Sequence, residues 1–239
     1  GLAQVGRHDN FFELGGDSIL GLQVIAQAKE VGLSLTPRQL FQQQTIEALA
    51  AVASRESAAD QVIHAEQGLV SGTLPMTPAQ QWWFEQRLSE PHHWNQSLML
   101  TISEPPDRAR LARALGLLLE RHDALRMRFD VSNGPTARIE ALVPSEQLLT
   151  CVDLRELSED AITNVIAGEA ERCQQSLHLE EGPLFRALLF DLGPRRPSRL
   201  LLIAHHLVVD GVSWRILLED LERAYLAGQE QQADFPPKT

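Results

Sequence analysis

The segment from Leu200 to Tyr225 constrains the fold of this 239-residue chain most strongly. It opens with an uninterrupted apolar run, Leu200–Ala204, which predicts a buried strand. His205 and His206 follow at once. After Asp210 and Gly211, apolar residues recur at helical spacing: Trp214, Leu217, Leu218, Leu221 and Tyr225. The segment therefore predicts a strand, a short turn and a helix, with two histidines where the strand ends.

Three interpretations of His205 and His206 are open on residue chemistry alone. Titratable groups at the end of an apolar strand are candidates for catalysis. A histidine pair whose hydrogen bonds are satisfied within the core accounts for the same pattern. Zinc ligation by the two histidines and Asp210 is the third interpretation. No motif with metal-ligand spacing supplies a further ligand, so we predict no metal site.

The remainder of residues 74–239 alternates strands and helices, which indicates an α/β lobe with a mixed sheet and flanking helices. Asp107 and Ser158 are positioned to begin amphipathic helices. Asn133-Gly134 between two short apolar segments predicts a hairpin turn. Residues 55–73 have no sustained apolar period, so we interpret them as a linker.

Residues 1–54 form a different unit, which we predict to be a small bundle of short helices. Thr36-Pro37 is a typical N-cap and first-turn pair, and Thr45 is positioned to cap a last helix. A glycine-containing loop, residues 5–16, leads into a helix near Ser18. On this pattern alone, Ser18 is a helix-capping serine behind flexible glycines.

The string Asn10–Ile19, NFFELGGDSI, is more specific than a capping serine. It resembles the peptidyl-carrier (thiolation) domains of nonribosomal peptide synthetases, and Leu40–Gln42 fits the later part of such a domain. The resemblance implies that a phosphopantetheinyl transferase attaches 4′-phosphopantetheine to Ser18. Backbone N–H groups at a helix start favour a phosphate there. Carrier domains normally have a further helix before this loop, so we expect the first helix to be missing.

The string His205–Trp214, HHLVVDGVSW, has the pattern HHxxxDG. With Thr77–Gln80 and Arg121–Phe129, it resembles the condensation superfamily of peptide synthetases, which has a chloramphenicol-acetyltransferase-like fold. Within that superfamily, His92–Ser97 (HHWNQS), Ser213-Trp214 and the aspartate of GGDS resemble epimerization domains. We assign the HHWNQS stretch no chemical role. Condensation, dual condensation/epimerization and a non-catalytic carrier or docking fragment are the alternatives.

The resemblance implies a role for each residue near HHxxxDG. His206 is the acid/base candidate that moves the α-proton of an aminoacyl or peptidyl thioester, inverting L to D. His205 packs and orients, and Trp214 gives structural support. Asp210 holds the loop, with Arg126 as its expected partner. The alternative for Arg126 is a solvated surface charge.

The resemblance also implies partners. An upstream adenylation domain would select the amino acid, and a glutamate on a C-terminal lobe would complete the site. Because inversion needs proton transfer on both faces of the α-carbon, we expect this chain alone to be a poor epimerase.

Composition excludes several other classes. A formal net charge of −11 argues against a nucleic-acid surface, which would be basic. No apolar run reaches the roughly 20 residues of a membrane helix. Cys151 and Cys173 are too few for a disulfide framework. The beginning of the chain lacks the features of a signal peptide, so we expect a reducing, cytoplasmic setting.

Overall fold

The computed structural model describes residues 4–55, 66–130, 136–142, 148–227 and 235. They fall into two compact units, one up to residue 64 and the other from residue 65 to residue 238. Each unit is described by itself below.

Short helices dominate the first unit, as predicted. Their starts are set by side-chain caps, because Thr36 forms a capping box with Gln39 and Thr45 accepts a hydrogen bond from the Ala48 N–H. Both predicted caps are confirmed. The elements are α1 (Ser18–Glu30), β1 (Leu33–Ser34), α2 (Pro37–Gln42), α3 (Ile46–Val52) and β2 (Ser54–Arg55), with β1 and β2 antiparallel.

The second unit alternates strands and helices. Its strands are β3 (Gly72–Leu74), β4 (Asn95–Ile102), β5 (Met127–Asp130), β6 (Thr136–Ile139), β7 (Leu149–Asp153), β8 (Phe185–Asp191) and β9 (Ser198–His205). Its α-helices are α4 (Pro78–Glu85), α5 (Arg108–Arg121), α6 (Glu159–Gln175) and α7 (Gly211–Leu226). Two 3-10 turns, Pro91–His93 and Asp123–Arg126, connect them.

The strands form a four-stranded sheet in the order β4-β9-β8-β7 and a three-stranded sheet in the order β3-β6-β5. In the larger sheet β7 and β8 are parallel, whereas β4, β9 and β8 pair antiparallel. The predicted α/β architecture with a mixed sheet and flanking helices is therefore confirmed.

The apolar run in β9 is explained by burial on both faces of the larger sheet. Leu202 and Ala204 belong to an apolar cluster with residues of α5 and α7. Leu201 and Ile203 belong to a second cluster with residues of α6. A strand covered by helices on both sides reads as continuous apolar sequence rather than as alternation. This burial fixes the end of β9, where His205 is the last residue of the strand and His206 follows it.

Local signals located some elements and missed others. Asp107 accepts from the Arg110 N–H and begins α5, as predicted. Ser158 precedes α6 but makes no side-chain cap hydrogen bond. Strand β3 begins inside the segment 55–73 that the sequence indicates as a linker. The sequence does not predict this strand because three residues, Gly-Thr-Leu, are too few to show a period. The Asn133-Gly134 turn lies outside the described residues, although β5 and β6 on either side of it pair antiparallel.

Among the helices that the structure describes, none combines the length and the hydropathy of a membrane span.

Candidate functional site

The antiparallel pairing of β4 with β9 builds the site. The register places Asn95 opposite His205 and Gln96 opposite Ala204. The His206 N–H then donates to the Trp94 carbonyl oxygen at 2.8 Å. The HHWNQS stretch and the HHxxxDG stretch, more than a hundred residues apart in the sequence, are therefore adjacent in the fold.

His205 is fully buried, and both ring nitrogens are engaged by backbone groups. Nδ1 accepts from the Leu207 N–H at 3.2 Å, so the neutral ring carries its proton on Nε2 and donates it to the Pro91 carbonyl at 2.8 Å. Burial lowers the pKa of His205 to about 4. The ring also meets Trp83 edge-on. These contacts are those of a neutral packing residue.

His206 is half-buried and makes a different set of contacts. Its Nδ1 lies 2.9 Å from the Val209 carbonyl oxygen, and its Nε2 lies 2.9 Å from the side-chain nitrogen of Gln96. The Trp94 ring stacks on the imidazole, with centroids 4.5 Å apart and planes 25° apart. The ring is thus held on one face and at both nitrogens.

Gln96 connects His206 to helix α7. Its side-chain oxygen accepts from Trp214 Nε1–H at 2.8 Å, and Trp214 is buried. The sequence assigned the HHWNQS stretch no chemical role, and the structure adds that Trp94 and Gln96 both contact His206. These contacts depend on the register of β4 on β9. The sequence does not predict that register, because the two strands are distant in the sequence.

Helix α4 also supports the loop that carries the histidines. Gln80 caps the helix with Thr77 and donates to the Leu207 carbonyl at 3.0 Å. Buried Trp83 stacks on Trp94, with ring centroids 5.5 Å apart. The Thr77–Gln80 string therefore acts through the same loop that carries the histidines.

Asp210 is the N-cap of α7. Its Oδ1 accepts from both the N–H and the hydroxyl of Ser213, each at 2.7 Å. The hydrogen bond from the Ser213 side chain, followed by that from its backbone, lowers the pKa of Asp210. The carboxylate thus fixes the turn between His206 and α7.

Arg126 is not the partner of Asp210, so the predicted contact is wrong. The Arg126 guanidinium is buried and donates to the carbonyl oxygens of Leu119, Glu140 and Val70 and to the Asp123 carboxylate. The alternative of a solvated surface charge is wrong as well, because Arg126 is only 2% exposed. A buried arginine with several carbonyl partners ties together chain segments that are distant in the sequence.

Ser18 is the first residue of α1 in the first unit. The preceding residue caps that helix, because Asp17 Oδ1 accepts from the Leu20 N–H at 2.8 Å. A side chain at Gly16 would lie 2.5 Å from the Phe11 carbonyl oxygen, so the turn requires glycine there. Position 18 is thus at the start of a 13-residue helix, where backbone N–H groups suit a phosphate ester.

A further cluster comprises His92, His178 and Glu180, whose candidate ligand atoms lie within 4.8 Å of one another. No spacing in the sequence predicted it. The two imidazoles stack with centroids 4.1 Å apart. Each Nδ1 accepts a backbone N–H, from Leu179 and Glu181 respectively. His178 Nδ1 also lies 3.2 Å from Glu180 Oε2, so the three side chains form a close polar cluster.

Two family models match the chain. The Condensation domain model matches residues 70–239, and the Phosphopantetheine attachment site model matches residues 1–53.

Curated relatives match along the whole chain. One of the linear gramicidin synthase proteins of Brevibacillus parabrevis is 48% identical over 239 residues, covering 99% of this chain and 4% of the relative. Chondramide synthase of Chondromyces crocatus is 48% identical over 243 residues, covering 100% of this chain and 6% of the relative. The chain therefore spans a small part of the length of these proteins.

Solved structures are similar in fold to a large part of the chain. The epimerization domain from the third module of a tyrocidine synthetase is 36% identical, with a TM-score of 0.66 over 74% of this chain and 39% of that domain's chain. The starter condensation domain of rhizomide synthetase is 25% identical, with a TM-score of 0.56 over 66% of this chain and 38% of that chain.

Proposed function

We propose that the second unit of this chain takes part in epimerization. The chain belongs to the condensation-domain family of nonribosomal peptide synthetases, and its first unit is a carrier for covalent 4′-phosphopantetheine. The reaction is the inversion, L to D, of the α-carbon of an aminoacyl or peptidyl thioester. One observation supports it over amide-bond formation. Trp94 and Gln96, which contact His206, belong to the stretch that resembles epimerization domains.

His206 is the proposed acid/base residue. A thioester linkage to the pantetheine arm makes the α-hydrogen of the substrate acidic. His206 Nε2 takes that proton, so the Cα–H bond breaks, the N–H bond forms and the electron pair stays on the substrate. Histidine suits this role because its reference pKa of about 6.5 is near neutral pH.

The other residues near His206 act through it in this proposal. His205 packs against Trp83, Asp210 fixes the turn as an N-cap, and Trp214 anchors Gln96. Arg126 stabilises the fold of the lobe rather than the loop.

Return of a proton to the opposite face of the α-carbon needs a second group. We assign it to a glutamate on a C-terminal lobe, as the family resemblance implies. The proposal also includes an upstream adenylation domain that selects the amino acid. We also propose unit boundaries of 1–54 for the carrier, 55–73 for the linker and 74–239 for the lobe. A cytoplasmic setting is part of the proposal, and the free thiols of Cys151 and Cys173 suit a reducing compartment.

The carrier part of the proposal assigns pantetheine to Ser18. Incubation with a phosphopantetheinyl transferase and coenzyme A is expected to add the mass of the arm once, and Ser18→Ala is expected to abolish the gain. Ser34→Ala, which changes a serine of strand β1 in the same unit, is the matched control and keeps the gain. Loading of the Ser18→Ala variant would contradict the assignment.

Product analysis separates the catalytic alternatives. With the C-terminal lobe supplied, an L-aminoacyl thioester on Ser18 is expected to become a D/L mixture on the same carrier, detected by chiral chromatography after hydrolysis. A peptide bond formed between two carriers, without inversion, would instead support the condensation alternative. A chain that does neither, and is unaffected by His206→Ala, would support the non-catalytic alternative.

A further inference from the structure

We propose that Gln96 determines which nitrogen of His206 carries the proton, and that Trp214 determines the orientation of the Gln96 amide. Gln96 is thus a positioning residue for the acid/base histidine. The effect of Gln96 on catalysis rests on the proposed function, whereas its hydrogen bonds to Trp214 and His206 do not.

The orientation of the amide follows from Trp214. An indole N–H is a donor and offers no acceptor. Trp214 Nε1 lies 2.8 Å from the Gln96 side-chain oxygen, and the indole is buried in α7. The opposite amide orientation would set two donors against each other. The Gln96 oxygen must therefore face Trp214, which leaves the amide nitrogen facing His206.

The state of the imidazole follows from Gln96. The amide N–H₂ is a donor and lies 2.9 Å from His206 Nε2, so Nε2 must be the acceptor. The proton of the neutral ring is then on Nδ1. That agrees with the other end of the ring, where the Val209 carbonyl oxygen, an acceptor, lies 2.9 Å from Nδ1. Two independent partners select the same tautomer, and Trp94 holds the ring plane.

The contact between Gln96 and His206 Nε2 also affects proton transfer. An unprotonated ring nitrogen has one lone pair, so Gln96 must release Nε2 when the substrate α-hydrogen approaches. Once Nε2 has taken the proton, both it and the Gln96 amide are donors, and the contact cannot re-form until the proton is passed on. Gln96 therefore favours the proton-accepting form of His206 between turnovers.

The tautomer is measured directly in the chain by two-bond ¹H–¹⁵N correlation NMR of ¹⁵N-histidine-labelled protein. At pH 8, above the range in which a free imidazole takes a second proton, His206 is expected to show a proton on Nδ1. His205 is an internal reference, because its contacts place the proton on Nε2. A His206 ring protonated on Nε2 would overturn the inference.

Gln96→Glu changes the donor for an acceptor with little change of shape. The carboxylate still accepts from Trp214, but it now stabilises a proton on Nε2, so His206 is expected to be protonated on both nitrogens at pH 8. Gln86→Glu, which makes the same change at an exposed glutamine of α4's C-cap, is expected to leave His206 unchanged. A wild-type spectrum for Gln96→Glu would overturn the inference.

A second variant covers the case in which Gln96→Glu fails to fold. Gln96→Leu removes the donor, so the Nε2 resonance of His206 is expected to shift as its hydrogen bond is lost, and an unchanged resonance would overturn the inference. With the C-terminal lobe supplied, Gln96→Glu is expected to slow α-deuterium exchange by about 100-fold or more, the size of a general acid–base contribution. If His206 shows the proposed tautomer but no α-deuterium exchange occurs, the proposed function is contradicted and the inference about Gln96 still holds.

Discussion

His205 and His206 are neighbours in the sequence but carry their protons on opposite ring nitrogens. In His205, backbone groups engage both nitrogens and burial holds the ring neutral. In His206, one nitrogen is held by a backbone carbonyl and the other by a side-chain amide. The difference supports the proposed roles, a packing residue for His205 and an acid/base residue for His206.

The lowered pKa of His205, about 4, makes stability depend on pH. The unfolded chain takes up the proton first as pH falls below about 6.5, so this contribution is present above pH 6.5 and is lost toward pH 4. We expect a loss of roughly 2–3 kcal/mol from this group between pH 7.5 and 4.5. His205→Gln removes the titration. Urea unfolding at the two pH values should show a larger loss for the wild type, and equal losses would contradict the prediction.

At the scale of elements, helices α5 and α7 are joined by a buried charge. Asp220 in α7 is 2% exposed and lies 2.8 Å from Nε2 of His122, the C-cap residue of α5, with Arg223 as a second partner. A hydrogen bond to a charged group contributes more than a neutral one, and its loss leaves the buried carboxylate under-solvated. This pair therefore fixes the packing of α7, which in turn positions Trp214.

We expect His122→Ala to reduce the free energy of unfolding by roughly 1.5–3 kcal/mol. Adding Asp220→Asn should restore part of the loss, because a neutral amide tolerates burial better than a charge. Glu219→Ala, which removes the partly exposed partner of Arg215, is the control and should cost at most about 1 kcal/mol. Chemical denaturation of the variants measures the differences. A control as damaging as His122→Ala would show that burial of the carboxylate is not the cause.

Elements with strong local signals were predictable, and contacts between elements were not. The apolar run of β9, the helical spacing in α7 and the caps at Thr36, Thr45 and Asp107 were all evident in the sequence. The three-residue strand β3 was missed, since it has no period. Pairing Arg126 with Asp210 failed, and Gln96 was overlooked, because both depend on how distant segments come together in space.

At the scale of the molecule, each of the two compact units has buried apolar residues of its own. In the first unit Leu40 of α2 is 2% exposed, whereas the larger clusters lie in the second unit. A unit of this size buries a limited core and is only marginally stable. Loss of one core side chain should therefore affect the carrier unit strongly.

Leu40→Ala is expected to cost about 2–5 kcal/mol, a large share of the stability of so small a unit. Amide hydrogen exchange should then show lost protection in α1 to α3 and wild-type protection in β4 to α7. Loading of pantetheine should fall in parallel, because the transferase needs the folded carrier. Equal loss of protection in both units would contradict the prediction that the first unit unfolds without the second.

Solvent deuterium exchange at the substrate α-carbon tests the central claim most directly. The chain, with an aminoacyl thioester on its pantetheine arm, is placed in D₂O with and without the C-terminal lobe, and deuterium at Cα is followed by mass spectrometry. With the lobe, we predict rapid incorporation for the wild type and incorporation slower by about 100-fold or more for His206→Ala with unchanged circular dichroism. Equal rates for the two proteins, or no incorporation while a peptide bond forms to a second carrier, would contradict the account.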